Sequence, residues 1–144
     1  TGSSTTINNL AGVSGSRVTL SGGNPANLSA KTLVIHNVAN ADSNGNTEFA
    51  GVIDDAGLGS NVTKTGAGSL TLSGDNTYTG MTAVDEGSLF IGSGGTSGSL
   101  MSAQLTIADN STVIFNRADN SEYAGLITGS ADSTLIKRGN GILT

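Results

Sequence analysis

Residues 62–92 have the sequence VTKTGAGSLTLSGDNTYTGMTAVDEGSLFIG. Three short runs within it alternate apolar and polar residues: 70–72, 82–84 and 88–91. The residues between these runs favour turns, because glycine, asparagine and aspartate adopt turn conformations at low cost: Gly66, Gly68, Gly74-Asp75-Asn76, Gly80 and Asp85-Glu86-Gly87. Strands this short cannot bury a face alone, so the segment is predicted to be one unit of a stacked β-structure.

The composition also favours a regular β-repeat. Of the 144 residues, 22 are glycine, 12% are charged and 3% are aromatic, whereas charged residues make up about 25% of an average globular domain. Such a chain could be disordered. However, 35% of the residues are apolar, and they recur in triplets rich in the β-branched residues that suit a pleated sheet.

Charge and cysteine content exclude several function classes. The net charge is −5, and the basic residues are scattered, so nucleic-acid binding is not expected: Arg17, Lys31, Lys64, Arg117, Lys137 and Arg138. The chain has no cysteine, which excludes disulfides and thiolate metal sites and suits an exported protein. Residues 1–17 lack the features of a signal peptide, so we expect either a cytosolic chain or a fragment of a longer precursor.

Further strands are predicted along the whole chain, and no segment has helical periodicity. We therefore expect almost no helix. The additional strands are predicted at 18–20, 33–38, 49–53, 104–107, 112–115, 123–127, 135–137 and 141–144.

The sequence repeats itself at long range. NTEFAGVI at 46–53 returns as NSEYAGLI at 120–127, and KTGAGSLT at 64–71 returns as KRGNGILT at 137–144. These offsets are 74 (120 − 46) and 73 (137 − 64), and a looser echo relates 34–37 to 113–116. Solenoid units run to roughly 20–45 residues, so one long repeat of about three turns is predicted. Leu70 and Leu72 would point inward and Thr71 outward.

Residues 64–92 resemble the autotransporter-associated β-strand repeat of Gram-negative bacterial passenger domains, and 135–144 resembles the start of a second copy. The departures are minor, namely Met81 where the family usually has glycine and Asp85 where asparagine is common. The residues that carry the resemblance are Lys64, Gly66, Gly68, Leu70, Leu72, Gly74, Asn76, Tyr78, Gly80, Val84, Gly87 and Leu89.

The resemblance implies a right-handed parallel β-helix, with residues 1–144 forming one segment of a longer one. It implies export through the periplasm to the cell surface, and attachment to a C-terminal outer-membrane β-barrel outside this chain. The expected function is a non-enzymatic stalk that assists secretion and folding and displays an effector region. The full protein would be an adhesin, a protease or an esterase.

The residues themselves indicate little chemistry, and no catalytic, cofactor-binding or metal-binding residue is predicted. His36 is the one histidine and no G-x-S-x-G motif occurs, so zinc sites of the HExxH type and a nucleophile elbow are excluded. Whether His36 points inward or outward is left open. The adjacent pairs Asp54-Asp55 and Asp85-Glu86 lie at predicted turns, where aspartate caps backbone N–H groups.

Two other functions stay open. An adhesin segment would bind host matrix or glycans through loops such as 42–47 or 92–98, with Gly92, Gly94, Gly95 and Gly98 as the possible binding loop. A polysaccharide-processing β-helix enzyme is the more remote alternative. Because both ends are expected to expose sheet edges, end-to-end self-association is also expected.

Overall fold

The computed structural model describes residues 3–21, 28–38 and 44–144. None of these residues forms a helix long and apolar enough to span a membrane. The described part is all-β, and its strands are β1 Ser4–Asn8, β2 Arg17–Thr19, β3 Thr32–His36, β4 Thr47–Phe49, β5 Val52–Asp54, β6 Asn61–Thr65, β7 Ser69–Leu72, β8 Asp75–Asn76, β9 Met81–Val84, β10 Ser88–Ile91, β11 Ser99–Leu100, β12 Gln104–Ile107, β13 Thr112–Asn116, β14 Leu126–Gly129 and β15 Thr134–Arg138.

The chain winds over three faces in turn, and every strand pair is parallel. Sheet A has the order β1-β3-β6-β9-β12-β14, and sheet B has the order β4-β7-β10-β13-β15. The third face consists of two short pairs, β2-β5 and β8-β11. Each strand therefore pairs with its counterpart one turn away, and the predicted parallel β-helix is confirmed.

The core is built from columns of inward-facing side chains. In sheet B, Leu72 stacks between Phe49 and Ile91 through the strand register. Leu70 and Leu72 are fully buried while Thr71 is half-exposed, which confirms the predicted alternation. Each buried aliphatic or aromatic side chain contributes about 1.5–3 kcal/mol, so a narrow interior stabilises a chain with few aromatic residues.

Two predicted strands are wrong because each predicted range includes a corner between two faces. The predicted strand at 49–53 is split, since β4 ends at Phe49 and β5 begins at Val52. A Cβ atom on the corner residue Gly51 would lie 2.3 Å from the carbonyl oxygen of Ser16 on the preceding turn. The predicted strand at 123–127 is likewise interrupted at Gly125. Apolar residues continue across both corners, so the alternation does not reveal the bend.

Other predicted boundaries need correction. Residues 141–144 form only a single bridge, between Ser121 and Leu143, instead of a full strand. The predicted turn residues Gly66 and Gly68 follow β6, which includes Lys64 and Thr65. Four strands were not predicted, because they are mostly polar or only two residues long: β1, β6, β8 and β11. The predicted strands at 18–20, 33–38, 104–107, 112–115 and 135–137 match β2, β3, β12, β13 and β15 to within one or two residues.

The long repeat does not return to the same face. Lys64 lies on sheet A, whereas its counterpart Lys137 lies on sheet B. Phe49 lies on sheet B, whereas Tyr123 lies on the third face. One repeat therefore spans three turns and the step to the next face, so the predicted length of about three turns is too short. The looser echo of 34–37 in 113–116 is not a structural equivalence, because Ile35 points inward and Ile114 outward.

Candidate functional site: the repeat corner and the glycine loop

Lys64 places a charged side chain in an apolar column of sheet A. It pairs with Ile35 on one side and Val84 on the other, and it is 1% exposed. Its Nζ atom donates to the carbonyl oxygens of Thr65 at 3.0 Å, Gly66 at 2.6 Å and Glu86 at 2.9 Å. The aliphatic stem thus packs in the core, while the three donors of the ammonium group are satisfied at the corner.

The electrostatics of this corner follow from its burial. Burial lowers the pKa of Lys64 to about 8, although the nearby Glu86 carboxylate acts in the opposite direction. The group is therefore still protonated at neutral pH, as its three hydrogen bonds require. The Glu86 carboxylate accepts a hydrogen bond from the Gly66 backbone N–H at 3.2 Å. Glu86 on the next turn therefore binds this corner through both its carbonyl oxygen and its carboxylate.

Gly66 begins the turn and requires the absence of a side chain. Its φ is +77°, and a Cβ atom there would lie 2.3 Å from the carbonyl oxygen of Asn37. The left-handed conformation and the close approach of backbone from the preceding turn both demand glycine. The glycine of the motif is thus explained by the stacking of turns.

The second copy of the motif builds the same corner on another face. Lys137 donates to the carbonyl oxygens of Arg138, of Gly139 at 3.3 Å and of Arg117 at 3.5 Å. Gly139 has a φ of +73°, and its Cβ atom would lie 2.0 Å from the Arg117 carbonyl oxygen. Both lysines thus donate to the carbonyl oxygens of the next two residues, and both glycines lie against the backbone of the preceding turn.

The upstream half of the repeat shows the same equivalence. The side-chain oxygen of Asn46 accepts from the Ser69 backbone N–H at 2.9 Å, and that of Asn120 accepts from the Ile142 backbone N–H at 2.9 Å. Gly51 and Gly125 each lie against the aromatic ring two residues earlier, with their Cβ positions 2.6 Å from its Cζ atom. The two copies therefore match in their interactions although they lie one face apart.

The middle of the motif is also internal. The buried Asn76 accepts from the Ile53 N–H at 2.9 Å and donates to the carbonyl oxygens of Gly74 at 2.9 Å and Ser99 at 3.3 Å. The Tyr78 hydroxyl lies 2.7 Å from the Thr82 hydroxyl oxygen, and burial raises the pKa of Tyr78. Asn76 thus connects neighbouring turns, and both Asn76 and Tyr78 are fully buried and not presented to a ligand.

The glycine loop predicted as a possible binding loop is a short excursion with a narrow neck. Gly92 and Gly98 are buried at the neck, where a Cβ atom on Gly98 would lie 2.3 Å from the Gly92 Cα atom. Gly94 and Gly95 lie in the tip, and residues 93–97 are all exposed. The structure thus brings the four glycines into one loop and separates their roles into neck and tip.

Arg117 clamps this loop, and the sequence reasoning missed it. Its guanidinium group donates to the carbonyl oxygens of Thr96 at 2.6 Å and Gly98 at 3.2 Å, and it forms two hydrogen bonds with the Asp119 carboxylate, at 2.9 and 2.8 Å. The hydrogen bond with Asp119 raises the pKa of Arg117, and the same bond lowers the pKa of Asp119. An arginine two residues before an aspartate at the end of a strand was the available signal.

Asp54 ends strand β5 instead of lying in the predicted turn, whereas Asp55 caps backbone N–H groups as predicted. Its carboxylate accepts from the backbone N–H groups of Gly57 at 2.9 Å, Ser60 at 2.8 Å and Thr79 at 3.0 Å. Burial alone would raise the pKa of Asp55, but these hydrogen bonds outweigh it and the pKa is lowered. Asp54 points elsewhere and pairs with Arg17 at 2.8 Å.

His36 and the loop at 42–47 are the remaining predicted candidates. His36 is half-exposed on the outer side of sheet A, with Nδ1 2.8 Å from the Thr65 hydroxyl oxygen, which settles its orientation. Of the predicted loop 42–47, residues 42 and 43 lie outside the described residues, and Asn44-Gly45 forms a turn. Within the described ranges, no three histidine, aspartate or glutamate side chains come together as a metal site.

These features define a class of protein, namely a β-solenoid scaffold whose repeated residues serve its own corners. The family of the passenger-associated transport repeat matches residues 62–89. Over 87 residues the chain is 45% identical to the protein named "Adhesin BmaC autotransporter" of Brucella suis biovar 1 (strain 1330). That match covers 60% of this chain and 2% of the relative's length. No solved structure matches the chain.

The chain therefore carries an autotransporter passenger repeat. It is a secreted, surface-exposed passenger segment anchored at the outer membrane.

Proposed function

We propose that this chain is a structural β-helical stalk, which assists secretion and displays an effector region at the cell surface. The observation that carries the proposal is the occurrence of one internal corner on two different faces, at Lys64 and Lys137. A ligand-binding array would be expected to keep its equivalent residues on one face. Residues that are repeated on rotated faces instead serve the stacking of turns.

The proposed role in secretion follows from that stacking. Each turn that reaches the cell exterior pairs with the turn already folded there and buries apolar side chains, so it cannot slide back. A chain with 12% charged residues and no cysteine suits passage through a narrow pore. The proposed partner in this step is the protein's own C-terminal outer-membrane β-barrel, outside this chain.

The test places a charge in the core of the segment within the full-length protein. Leu70→Asp or Leu89→Asp buries a carboxylate at a fully buried position and is expected to prevent folding. Surface display should fall at least tenfold, with degradation of the retained chain in the periplasm. Thr71→Asp, at the outward position between Leu70 and Leu72, is the matched control and should leave display intact. Unchanged display of both core variants would contradict the proposal.

A second proposed function, binding of host matrix or glycans, is favoured by the glycine loop. Residues 93–97 are exposed on a neck that Arg117 holds in place, and rigid presentation lowers the entropic cost of binding. The matched relative carries the name of an adhesin. Replacing residues 93–97 with a two-residue turn should abolish host-cell adhesion and leave secretion unchanged. Unchanged adhesion would contradict this second function.

We assign no reaction to this segment. The matched repeat family is structural and the matched relative is named as an adhesin, which is consistent with a non-enzymatic segment. Any catalytic region of the whole protein would then lie on another part of its chain.

A further inference from the structure

The two methionines carry all the sulfur of the chain, and both lie at its surface. The sequence contains no cysteine and no tryptophan. Met101 is 61% exposed and Met81 36% exposed, and neither belongs to the buried core. Thioether sulfur is a common target of oxidants, and exposure governs how readily a side chain is oxidised. The atoms of this chain that oxidants attack most easily are therefore directly accessible from solvent.

Met101 has room around its side chain for an added oxygen atom. It follows strand β11 and lines a cleft of about 360 Å³ together with Leu100, Glu122 and Ala124. Its backbone N–H donates to the carbonyl oxygen of Asn76 at 3.2 Å, so the neighbouring turn holds the backbone while the side chain stays in solvent. Because Glu122 borders the cleft and the net charge is −5, a neutral oxidant reaches this sulfur more readily than an anionic one.

Met81 lies on the outward side of sheet A, where it begins β9. Its backbone N–H donates to the side-chain oxygen of Asn61 at 2.8 Å, and its side chain shares an outward column with the exposed Leu126. A sulfoxide is polar and disrupts the packing of a methionine that lies in a core. At this outward position water can solvate the added oxygen, so the strand is expected to stay in place.

The tyrosine rings, by contrast, are protected by burial. Tyr78 is 0% exposed and Tyr123 8% exposed. The Tyr78 hydroxyl oxygen lies 2.7 Å from that of Thr82, and the Tyr123 hydroxyl oxygen lies 3.1 Å from that of Ser102. An oxidant in solution therefore meets the two thioethers before it reaches these rings.

We propose that Met101 and Met81 are sacrificial oxidation sites, which take up oxygen from hydrogen peroxide in that order while the β-helix stays folded. In each reaction a lone pair of the sulfur attacks one peroxide oxygen, and the O–O bond breaks. The transferred hydroxyl group gives its proton to the departing hydroxide. The thioether is thereby oxidised to a sulfoxide and the peroxide is reduced to water. This modification goes beyond the stalk function, which requires no reaction.

Mass spectrometry of the folded chain during exposure to dilute hydrogen peroxide tests the order of reaction. Met101 should react roughly twice as fast as Met81, in the ratio of their exposed fractions. The reaction should stop at one added oxygen on each methionine. In urea, where both side chains are fully exposed, the two rates should become equal. Thermal unfolding followed by circular dichroism should give the doubly oxidised chain a Tm within about 3 °C of the unoxidised one.

Leu72→Met provides a matched buried thioether, because Leu72 is fully buried and this exchange nearly conserves volume. In the folded variant the third oxygen should be added at least about tenfold more slowly than the oxygen on Met81, since it requires opening of the core. After oxidation in urea and refolding, the variant should have a Tm lower by more than about 3 °C, whereas the oxidised wild type should not.

Three results would each overturn the proposal. The first is oxidation of Met81 in the folded chain as fast as Met101, or oxidation of a tyrosine before either methionine. The second is a fall in Tm of more than about 3 °C in the doubly oxidised wild type. The third is oxidation of the buried thioether of Leu72→Met as fast as Met81, because burial would then give no protection.

Discussion

The corners at Lys64 and Lys137 have the same internal hydrogen bonds in different surroundings. Both ammonium groups donate to the carbonyl oxygens of the next two residues. Lys64 also reaches the following turn at Glu86, whereas Lys137 reaches the preceding turn at Arg117. Lys64 is buried and Lys137 is exposed. The local geometry is thus encoded by the motif itself, and burial is added by the neighbouring turns.

The two corners also lie on different faces, which shows what the repeat specifies. It specifies a corner and its flanking strands, and it can occupy more than one of the three corners of a turn. With about 4.8 Å per turn, each copy advances by roughly 16 Å along the axis and one face around it. Equivalent surface residues therefore follow a spiral along the stalk.

The largest expected effect concerns Gly66. Gly66 and Gly57 have the same φ of +77°, but a Cβ atom at Gly57 meets nothing within 4 Å, whereas one at Gly66 lies 2.3 Å from backbone. Gly57→Ala should cost about 1–2 kcal/mol from backbone strain alone. Gly66→Ala should cost at least about 3 kcal/mol, because the preceding turn must also move. Urea denaturation measures both, and equal losses would show that stacking does not determine this corner.

An intermediate effect is expected at a third corner, where Asp55 accepts hydrogen bonds from the backbone. Asp55→Asn should lower the free energy of unfolding by about 2–3 kcal/mol at pH 7, since bonds to a charged acceptor are lost. Asp85→Asn, at an exposed carboxylate, should change it by less than about 0.5 kcal/mol.

The pH dependence of this effect has a definite sign. Because the pKa of Asp55 is lowered in the folded state, its stabilisation is present above the unfolded value of about 3.9 and is lost as the pH falls through the folded value. The difference between wild type and Asp55→Asn should therefore shrink below about pH 4. A difference that grows in acid would show that the carboxylate is not stabilised by the fold.

The smallest expected effects are the losses of folding free energy on replacing Lys64 or Lys137. Lys64→Met keeps the stem but leaves the Gly66 and Glu86 carbonyl oxygens without this donor, and should cost about 1–2 kcal/mol. Lys137→Met, at an exposed position, should cost less than about 0.5 kcal/mol. Chemical denaturation of both variants measures the difference, and equal costs would show that burial adds nothing to the corner.

The lowered pKa of Lys64 sharpens this comparison. Between the folded value of about 8 and the unfolded value of about 10.4, the unfolded chain binds more protons at this position. The stability of the wild type relative to Lys64→Met should therefore rise with pH across this window. Denaturation at a series of pH values up to about 9.5 measures this trend, and a relative stability that falls with pH would contradict the buried environment of Lys64.

Local patterns predicted the strands that alternate and missed the features that depend on other turns. Leu70-Thr71-Leu72 shows its inward and outward sides directly. The strand Asp75–Asn76 has no such pattern, and its conformation depends on hydrogen bonds to Ile53 and Ser99 on the adjacent turns. The inward position of Lys64 follows from its spacing to Val62, but a lysine in an apolar column is not expected until its carbonyl partners are known.

The candidate site was predicted only in part, because contacts between turns leave no local sequence pattern. The glycines of the loop at 92–98 were visible in the sequence, whereas the clamp by Arg117 joins residues that are about twenty positions apart. The rotation of the repeat by one face was hidden because the length of a turn is set by the strand register: three turns from Lys64 end at Gly129, eight residues before Lys137. Only the strand register shows that Arg138 lies beside Asn116 on sheet B.

A disulfide between introduced cysteines tests the rotated repeat most directly, because the natural chain has no cysteine. The strand register pairs Asn116 with Arg138 on sheet B, at a separation of about 5 Å that a disulfide spans. Three whole turns would instead have placed residue 138 on sheet A, beside Ala108. The account predicts that Asn116→Cys/Arg138→Cys forms an intramolecular disulfide on mild oxidation and that Ala108→Cys/Arg138→Cys does not. Crosslinking of the second pair in place of the first would contradict it.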